Sequence, residues 1–218
     1  PVEQCVKIMN PLSADLGVMR QTLLFNTMEA LQLNANHRNG DLKIYEFGNC
    51  YFYNKVEPKE GEEVAPLASY SENYRLAIAV TGLATPQSWN SKAEVSNFFN
   101  LKAIAEKILR RFGMDIYTLR SEPLENELFS EGLCLKAGNK ELLQIATVSP
   151  KLRKRFDLKG EVYFLDIDFD TLLKYTRKHK VQVTELPKFP AVKRDLALLV
   201  DSATTYAELR AIAFQTEK

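Results

Sequence analysis

Long apolar runs, histidine, tryptophan and a charge excess of either sign are all scarce in these 218 residues, and each shortage removes a class of function. No run approaches the roughly 20 apolar residues that cross a bilayer, and no charged-then-apolar leader opens the chain, so neither a membrane span nor a signal peptide is expected. The first residue is Pro1, which points to a processed or excised chain. The formal net charge is +1, too small to gather nucleic acid or a membrane surface non-specifically, although a local patch is still able to do so. Three cysteines, Cys5, Cys50 and Cys134, are odd in number and far apart. They argue against a disulfide framework and for a reducing, cytoplasmic compartment. Phosphate loops, dinucleotide fingerprints and nucleophile elbows are missing as well: no G-x-x-x-x-G-K, G-x-G-x-x-G or G-x-S-x-G occurs.

What remains is the composition of a folded domain. Apolar residues make up 45% and charged residues 26%, and the length suits one full domain with part of a second. Asp41 to Tyr53, DLKIYEFGNCYFY, is apolar on both faces and reads as a central strand covered on both sides, with Gly48 marking a bulge or a close backbone approach. Before it, Cys5 to Met9 reads as a short strand and Asn10-Pro11 as a turn. Met19, Leu23, Leu24, Met28 and Leu31 then recur at helical spacing, with Ser13 or Asp15 as the cap and Gly40 beyond the end. Arg20 lies off that stripe and reads as a solvated or salt-bridged arginine. After the strand, Lys55 to Tyr70 reads as a surface loop. Arg75 to Thr81 reads as a second apolar strand ended by Gly82, and Thr85 to Asn90 as a loop holding the single tryptophan, Trp89. Phe98, Leu101, Ile104, Ala105, Ile108, Leu109 and Phe112 predict an amphipathic helix stopped by Gly113. A short strand is expected at Asp115 to Leu119. Gly138-Asn139 predicts a hairpin between Gly132–Ala137 and Glu141–Val148. Pro150 opens a short basic helix, Glu161 to Ile167 reads as a strand, and Thr171 to His179 as a helix. Past a polar boundary at Thr176 to Lys180, a strand is expected at Asp195 to Val200 and a helix from about Thr205. About 38 residues cannot bury a core alone. Strands with intervening helices and a hairpin, without a βαβα rhythm, place the chain in the α+β class.

The candidate chemical groups mostly have structural explanations. His37 and His179 sit in polar stretches at helix ends, and no Cys or His lies at zinc spacing to another. Asp166, Asp168 and Asp170 imitate a calcium loop, but its sixth position is Thr171 instead of Gly and its twelfth is Arg177 instead of Glu. Strand periodicity explains them better, with Asp170 as a helix cap. Lys151, Arg153, Lys154 and Arg155 form one basic cluster, and Lys174, Arg177, Lys178 and Lys180 another. Either is able to touch phosphate, but neither is interleaved with the aromatic platforms of single-strand binding.

Five blocks, in order, resemble the β-subunit of bacterial phenylalanyl-tRNA synthetase. They are NPLSADLGVMRQTLL (Asn10 to Leu24), LKIYEFGNCYF (Leu42 to Phe52), NFFNLKAIAEKIL (Asn97 to Leu109), SPKLRKRFDLKGEVYFLDIDFDTLL (Ser149 to Leu173) and KFPAVKRDLALLVD (Lys188 to Asp201). The resemblance covers nearly the whole chain. It implies a class II aminoacyl-tRNA synthetase-like antiparallel sheet flanked by helices over residues 1–180. It further implies, over 181–218, the truncated start of a ferredoxin-like anticodon-binding domain. In that family the α-subunit carries the chemistry, while this β-subunit domain does not catalyse and packs against the α-subunit to build the heterotetramer.

The residues themselves agree with an inert domain. Active members place an arginine for the ATP α-phosphate four residues after a strand glycine; counted from Gly48, that position is Phe52. A phenyl ring cannot make the charged, bidentate hydrogen bonds a phosphate needs. Where active members have a glycine-rich strand, Tyr163 to Asp170 has no glycine and carries carboxylates that repel ATP. No catalytic, cofactor-binding or metal residue is therefore expected in this chain. ATP and Mg are expected for the holoenzyme only, tRNA through the complete subunit, and neither membrane nor DNA as a partner. By analogy with class II dimers, the helix from Ser13 to Asn36 and the central strand are expected to meet the α-subunit, so that a charge at Leu23 or Met28 impairs assembly. Two other readings stay open: an active adenylating enzyme, and an RNA-binding module using the basic clusters.

Overall fold

Six antiparallel strands form the sheet around which the first part of the chain is built. The structure, a computed structural model, describes residues 2–13, 16–56, 65, 67–177, 185 and 187–216. The chain divides into two compact units, Pro1–His179 and Lys180–Lys218. In the first unit the elements run α1 (Leu24–Asn36), β1 (Leu42–Tyr53), β2 (Tyr70–Thr81), β3 (Leu83–Thr85), β4 (Glu94–Val95) and α2 (Phe98–Arg111). They continue with β5 (Arg120–Pro123), β6 (Phe129–Ala137), β7 (Lys140–Val148), α3 (Pro150–Arg155), β8 (Val162–Asp168) and α4 (Phe169–Thr176). The strand order is β1-β2-β8-β7-β6-β5, and β3 pairs with β4 in a separate two-stranded ribbon.

The period-two alternation of the middle strands fills both faces. Leu76, Val80, Leu165, Ile167, Leu143 and Ile145 face α2 and α4, where Leu101, Ala105, Leu109 and Leu172 cover them. Ala77, Ala79, Ala146, Val148, Val162 and Phe164 face the other way, under Leu24, Met28 and Leu31 of α1 and Leu152 of α3. Helix α2 forms as its apolar spacing predicts. Asn97 and Asn100 exchange side-chain and backbone hydrogen bonds at its start, and Gly113, at φ 76°, follows its end. The predicted hairpin is present, with Gly138 in the left-handed region at φ 60°.

Several elements differ from expectation, for identifiable reasons. The 42–53 strand lies at the edge of the sheet, not its centre. Only its inward face, with Ile44, Cys50 and Phe52, packs under α1. Tyr45 and Phe47 on its other face are exposed beside an apolar groove of about 430 Å³ shared with Ile104, Ile108 and Phe112 of α2. An aromatic outer face imitates burial when only the sequence is read. The first helix starts at Leu24, where Thr22 Oγ1 accepts from the Leu24 N–H. Ser13 caps nothing in the helix, and Asp15 lies outside the described residues. The Asn10-Pro11 turn sends the chain back on itself instead: Lys7 bridges Val18, Ile8 N–H donates to Gly17 and Met19 N–H to Val6. Cys5 to Met9 therefore contributes a single bridge and no strand. Residues 116–118 form a 3-10 turn capped by Asp115, and the strand follows at Arg120. The cap of α4 is Asp168, which accepts from Thr171 N–H, whereas Asp170 accepts from Tyr74 N–H. Most of the 55–70 loop and residues 178–184, His179 among them, lie outside the described residues.

In the second unit, α5 (Tyr206–Thr216) starts from a reciprocal Thr205–Glu208 capping arrangement. Residues 195–200 do not form a strand. A strand exists only through a neighbour that completes its hydrogen bonds, and none pairs with this segment among the described residues.

Candidate functional site

Phe52 lies on the sheet face under α1, and the polar residues of that face define the site to be judged. Glu46, Gly48, Cys50 and Phe52 of β1 share this face with Arg75 and Ala77 of β2, as the direct pairs Glu46–Ala77 and Gly48–Arg75 require. Asp166 lies opposite Ala77, and Asp168 opposite Arg75, on β8, and Gln144 of β7 lies beyond Asp166. Phe52 packs against the apolar cluster beneath α1. The position to which the resemblance assigned a phosphate-binding arginine in active members thus holds a hydrophobic contact.

Both arginines of this face are already committed. Arg75 Nε donates to Asp166 Oδ1 at 2.8 Å, with Glu141 Oε1 4.0 Å from the same guanidinium. Burial works against the Arg75 charge, but Asp166 more than compensates, so its pKa is raised. Burial likewise pushes the Asp166 carboxyl up, and Arg75 offsets this only in part. Glu141 also accepts from Gln144 Nε2 at 2.8 Å. Arg20 is ion-paired to Glu46 at 2.6 Å and donates through Nε to the Asn49 carbonyl at 3.0 Å, while its own carbonyl accepts from Tyr51 N–H. The salt-bridged reading of Arg20 holds. Gly48 is explained by the same contact: a Cβ there would run into the Arg20 guanidinium. Gly48 therefore marks a close approach, and the β1–β2 register passes it without a bulge. The Cys50 thiol sits among these groups, pushed up to about 11 chiefly by burial, then by Asp166. It is a protonated, unreactive thiol at neutral pH.

The other sequence candidates are scattered. The carboxylates of Asp168 and Asp170 are engaged with Thr171 and Tyr74 N–H. Among the described residues no three His, Cys, Asp or Glu side chains gather as a metal site. In the first basic cluster, Arg153 is held by the Gly160 carbonyl and Glu161, leaving Lys151, Lys154 and Arg155 exposed. In the second, Lys174 is exposed on α4, and Lys178 and Lys180 lie outside the described residues. His37 is an exposed residue closing α1. Leu23 and Met28 are both 0% exposed. They belong to the core, which overturns their expected place on a partner surface. Sequence reasoning missed the Arg75–Asp166 pair, because nothing in either strand alone signals that the two side chains oppose each other.

No described helix is long and apolar enough to cross a membrane. The architecture is shared with pyrrolysyl-tRNA synthetase from Desulfitobacterium hafniense. The TM-score is 0.56 at 15% identity, over 81% of this chain and 54% of that one, a likeness of fold alone. Sequence relatives are nearer. The phenylalanine–tRNA ligase β-subunit of Bacteroides thetaiotaomicron is 45% identical over 98% of this chain. That of Porphyromonas gingivalis is 39% identical over 100% of it, and that of Thermotoga maritima 29% over 89%. The chain spans about a quarter of the length of these curated relatives, 26% of the first two. Residues 1–169 match the family described as the phenylalanyl tRNA synthetase beta chain CLM domain. With a synthetase fold, a family match over most of its length and these relatives, the chain belongs to the phenylalanine–tRNA ligase β-subunit family.

Proposed function

We infer that this chain is a non-catalytic, synthetase-like domain that supports a catalytic α-subunit in the ATP-dependent attachment of phenylalanine to tRNA(Phe). The observation that carries this reading is the closed α1 face. Phe52 fills the arginine position, and Arg20 and Arg75 are spent on Glu46 and Asp166. A triphosphate brought there would meet Asp166, Asp168 and Glu141 with no uncommitted arginine to balance them, so the residues present do not fit ATP. ATP and its magnesium belong to the α-subunit in this reading, and no step of the reaction runs through this face. The contribution of the domain is mechanical: a sheet packed on both sides presents a fixed surface to the partner. Residues 181–218 open a ferredoxin-fold anticodon-binding domain, and tRNA is contacted through the complete subunit in the cytoplasm.

The test is co-elution of the full-length β-subunit with its α-subunit on a sizing column with light scattering. A stoichiometric complex is expected. Failure of two folded subunits to associate would remove the supporting role. Salt-sensitive affinity for tRNA that is lost when the exposed Lys151, Lys154 and Arg155 are replaced by Ala would favour the RNA-binding reading instead.

A further inference from the structure

Strand β1 is a free edge of the six-stranded sheet. Tyr51 N–H donates to the Arg20 carbonyl, and the Asn49 carbonyl accepts from Arg20 Nε, so these odd-numbered residues turn their backbone groups away from β2. The register to β2 runs without a shift from Leu42 to Tyr53, so Lys43, Tyr45 and Phe47 turn theirs outward too. No described residue bonds to those outward N–H and carbonyl groups. The side chains of Tyr45 and Phe47, 72% and 43% exposed, border the apolar groove of about 430 Å³ whose other wall is α2. Ile104, Ile108, Phe112 and Phe169 line that groove and also pack against the main core, so the groove is an opening in the core. An open sheet edge is normally blunted by proline, a bulge or a free lysine. This stretch has no proline and no bulge, and Lys43 Nζ is bonded to the Ala84 carbonyl.

We propose that the stretch of the β-subunit leading into Pro1 runs along β1 as a further strand, pairing with Lys43 to Phe47 and placing its apolar side chains in the groove. Such a strand is about five residues long and apolar at every second position. Three observations select this occupant over a separate subunit. The other half of the same edge is already covered by the N-terminal part of this chain: Gln4 Nε2 donates to Asn54 Oδ1, and Arg20 lies along Asn49 and Tyr51. The chain therefore enters the unit at this edge. The groove is continuous with the core, and a core left open until a partner arrives would leave the free subunit with an aggregation-prone edge. Finally, the chain spans 26% of its curated relatives, so the same subunit has polypeptide to supply the strand. The inference rests on the family membership and not on the supporting role.

The test places a benzophenone photo-cross-linker at Tyr45 of the full-length β-subunit, irradiates it alone and with the α-subunit, and identifies the captured peptide by mass spectrometry. Capture of a β-subunit peptide that precedes Pro1, within the mass of one chain, is expected in both samples. Amide hydrogen exchange of the unlabelled subunit gives a second readout. Tyr45 and Phe47 N–H are expected to exchange about 100-fold or more slowly than an open amide. Ile44 and Glu46, whose N–H groups face β2, report that the sheet is folded. Capture of the α-subunit, of a second β-subunit copy or of a peptide beyond Lys218 overturns the proposal. Fast exchange at Tyr45 and Phe47 while Ile44 and Glu46 stay protected overturns it too, as does protection that appears only with the α-subunit. None of these results touches the supporting role, which is read from association of the two subunits.

Discussion

On the α2–α4 side of the sheet, β2, β8 and β7 offer Leu76, Val80, Leu165, Ile167 and Ile145 to an apolar helix layer. On the α1–α3 side the same strands offer Ala77, Ala79, Phe164 and Ala146, and then Arg75, Asp166 and Gln144. One face is held by shape and the hydrophobic effect alone. The other keeps charges inside and neutralises each with a neighbour. A synthetase-like face can thus stay polar while both of its arginines are held by carboxylates of the same face. Chemistry needs the opposite arrangement, charges left waiting for a ligand.

The comparison predicts unequal responses. Removing one half of the buried ion pair, Asp166→Ala, leaves Arg75 with only the 4.0 Å approach of Glu141 and is expected to cost about 3 kcal/mol in urea denaturation. The double variant Arg75→Met with Asp166→Leu should return to within about 1 kcal/mol of the parent, since an apolar pair of similar volume replaces a buried ion pair at little cost. A double variant as unstable as Asp166→Ala would show that the charges themselves stabilise this face. On the other face, Leu109→Ala leaves a cavity and should cost about 3 kcal/mol, with no partner substitution restoring it. Gly48→Ala should cost about 1 kcal/mol, because the Arg20 guanidinium can swing away from the new methyl and its pair with Glu46 is half-exposed.

The comparison also bears on pH dependence. Burial pushes the Cys50 and Cys134 thiols from 9.0 up to about 11. The unfolded chain therefore ionises first. The stability tied to these protonated thiols is fully present below pH 9 and is lost as pH rises through about 11. Replacing both by Ala should flatten the fall in melting temperature between those values. An unchanged slope would mean that the thiols are not held protonated by the fold.

Much of the fold was legible because its periodicity is local. Helix α2 shows its stripe and its stop at Gly113, and the β6–β7 hairpin shows Gly138-Asn139. The position of β1 was not legible. An edge strand with Tyr45 and Phe47 on its outer side has the composition of a buried one, and strand order is a long-range property. The start of α1 was misplaced because Met19 continues the helical spacing by coincidence, while the return of the chain after Pro11 depends on a bridge between Lys7 and Val18. At the site, Phe52 could be read from its distance to Gly48, given the resemblance. Arg75 opposite Asp166 could not, because the pair exists only once β2 and β8 are in register.

The most direct measurement is ATP–pyrophosphate exchange, with phenylalanine present, by the full-length β-subunit alone, the α-subunit alone and the two together. Exchange is predicted only where the α-subunit is present, and none from the folded β-subunit at any ATP concentration. Exchange by the β-subunit alone would mean that the α1 face, with Phe52 and its paired arginines, works as an active site, and would contradict the account.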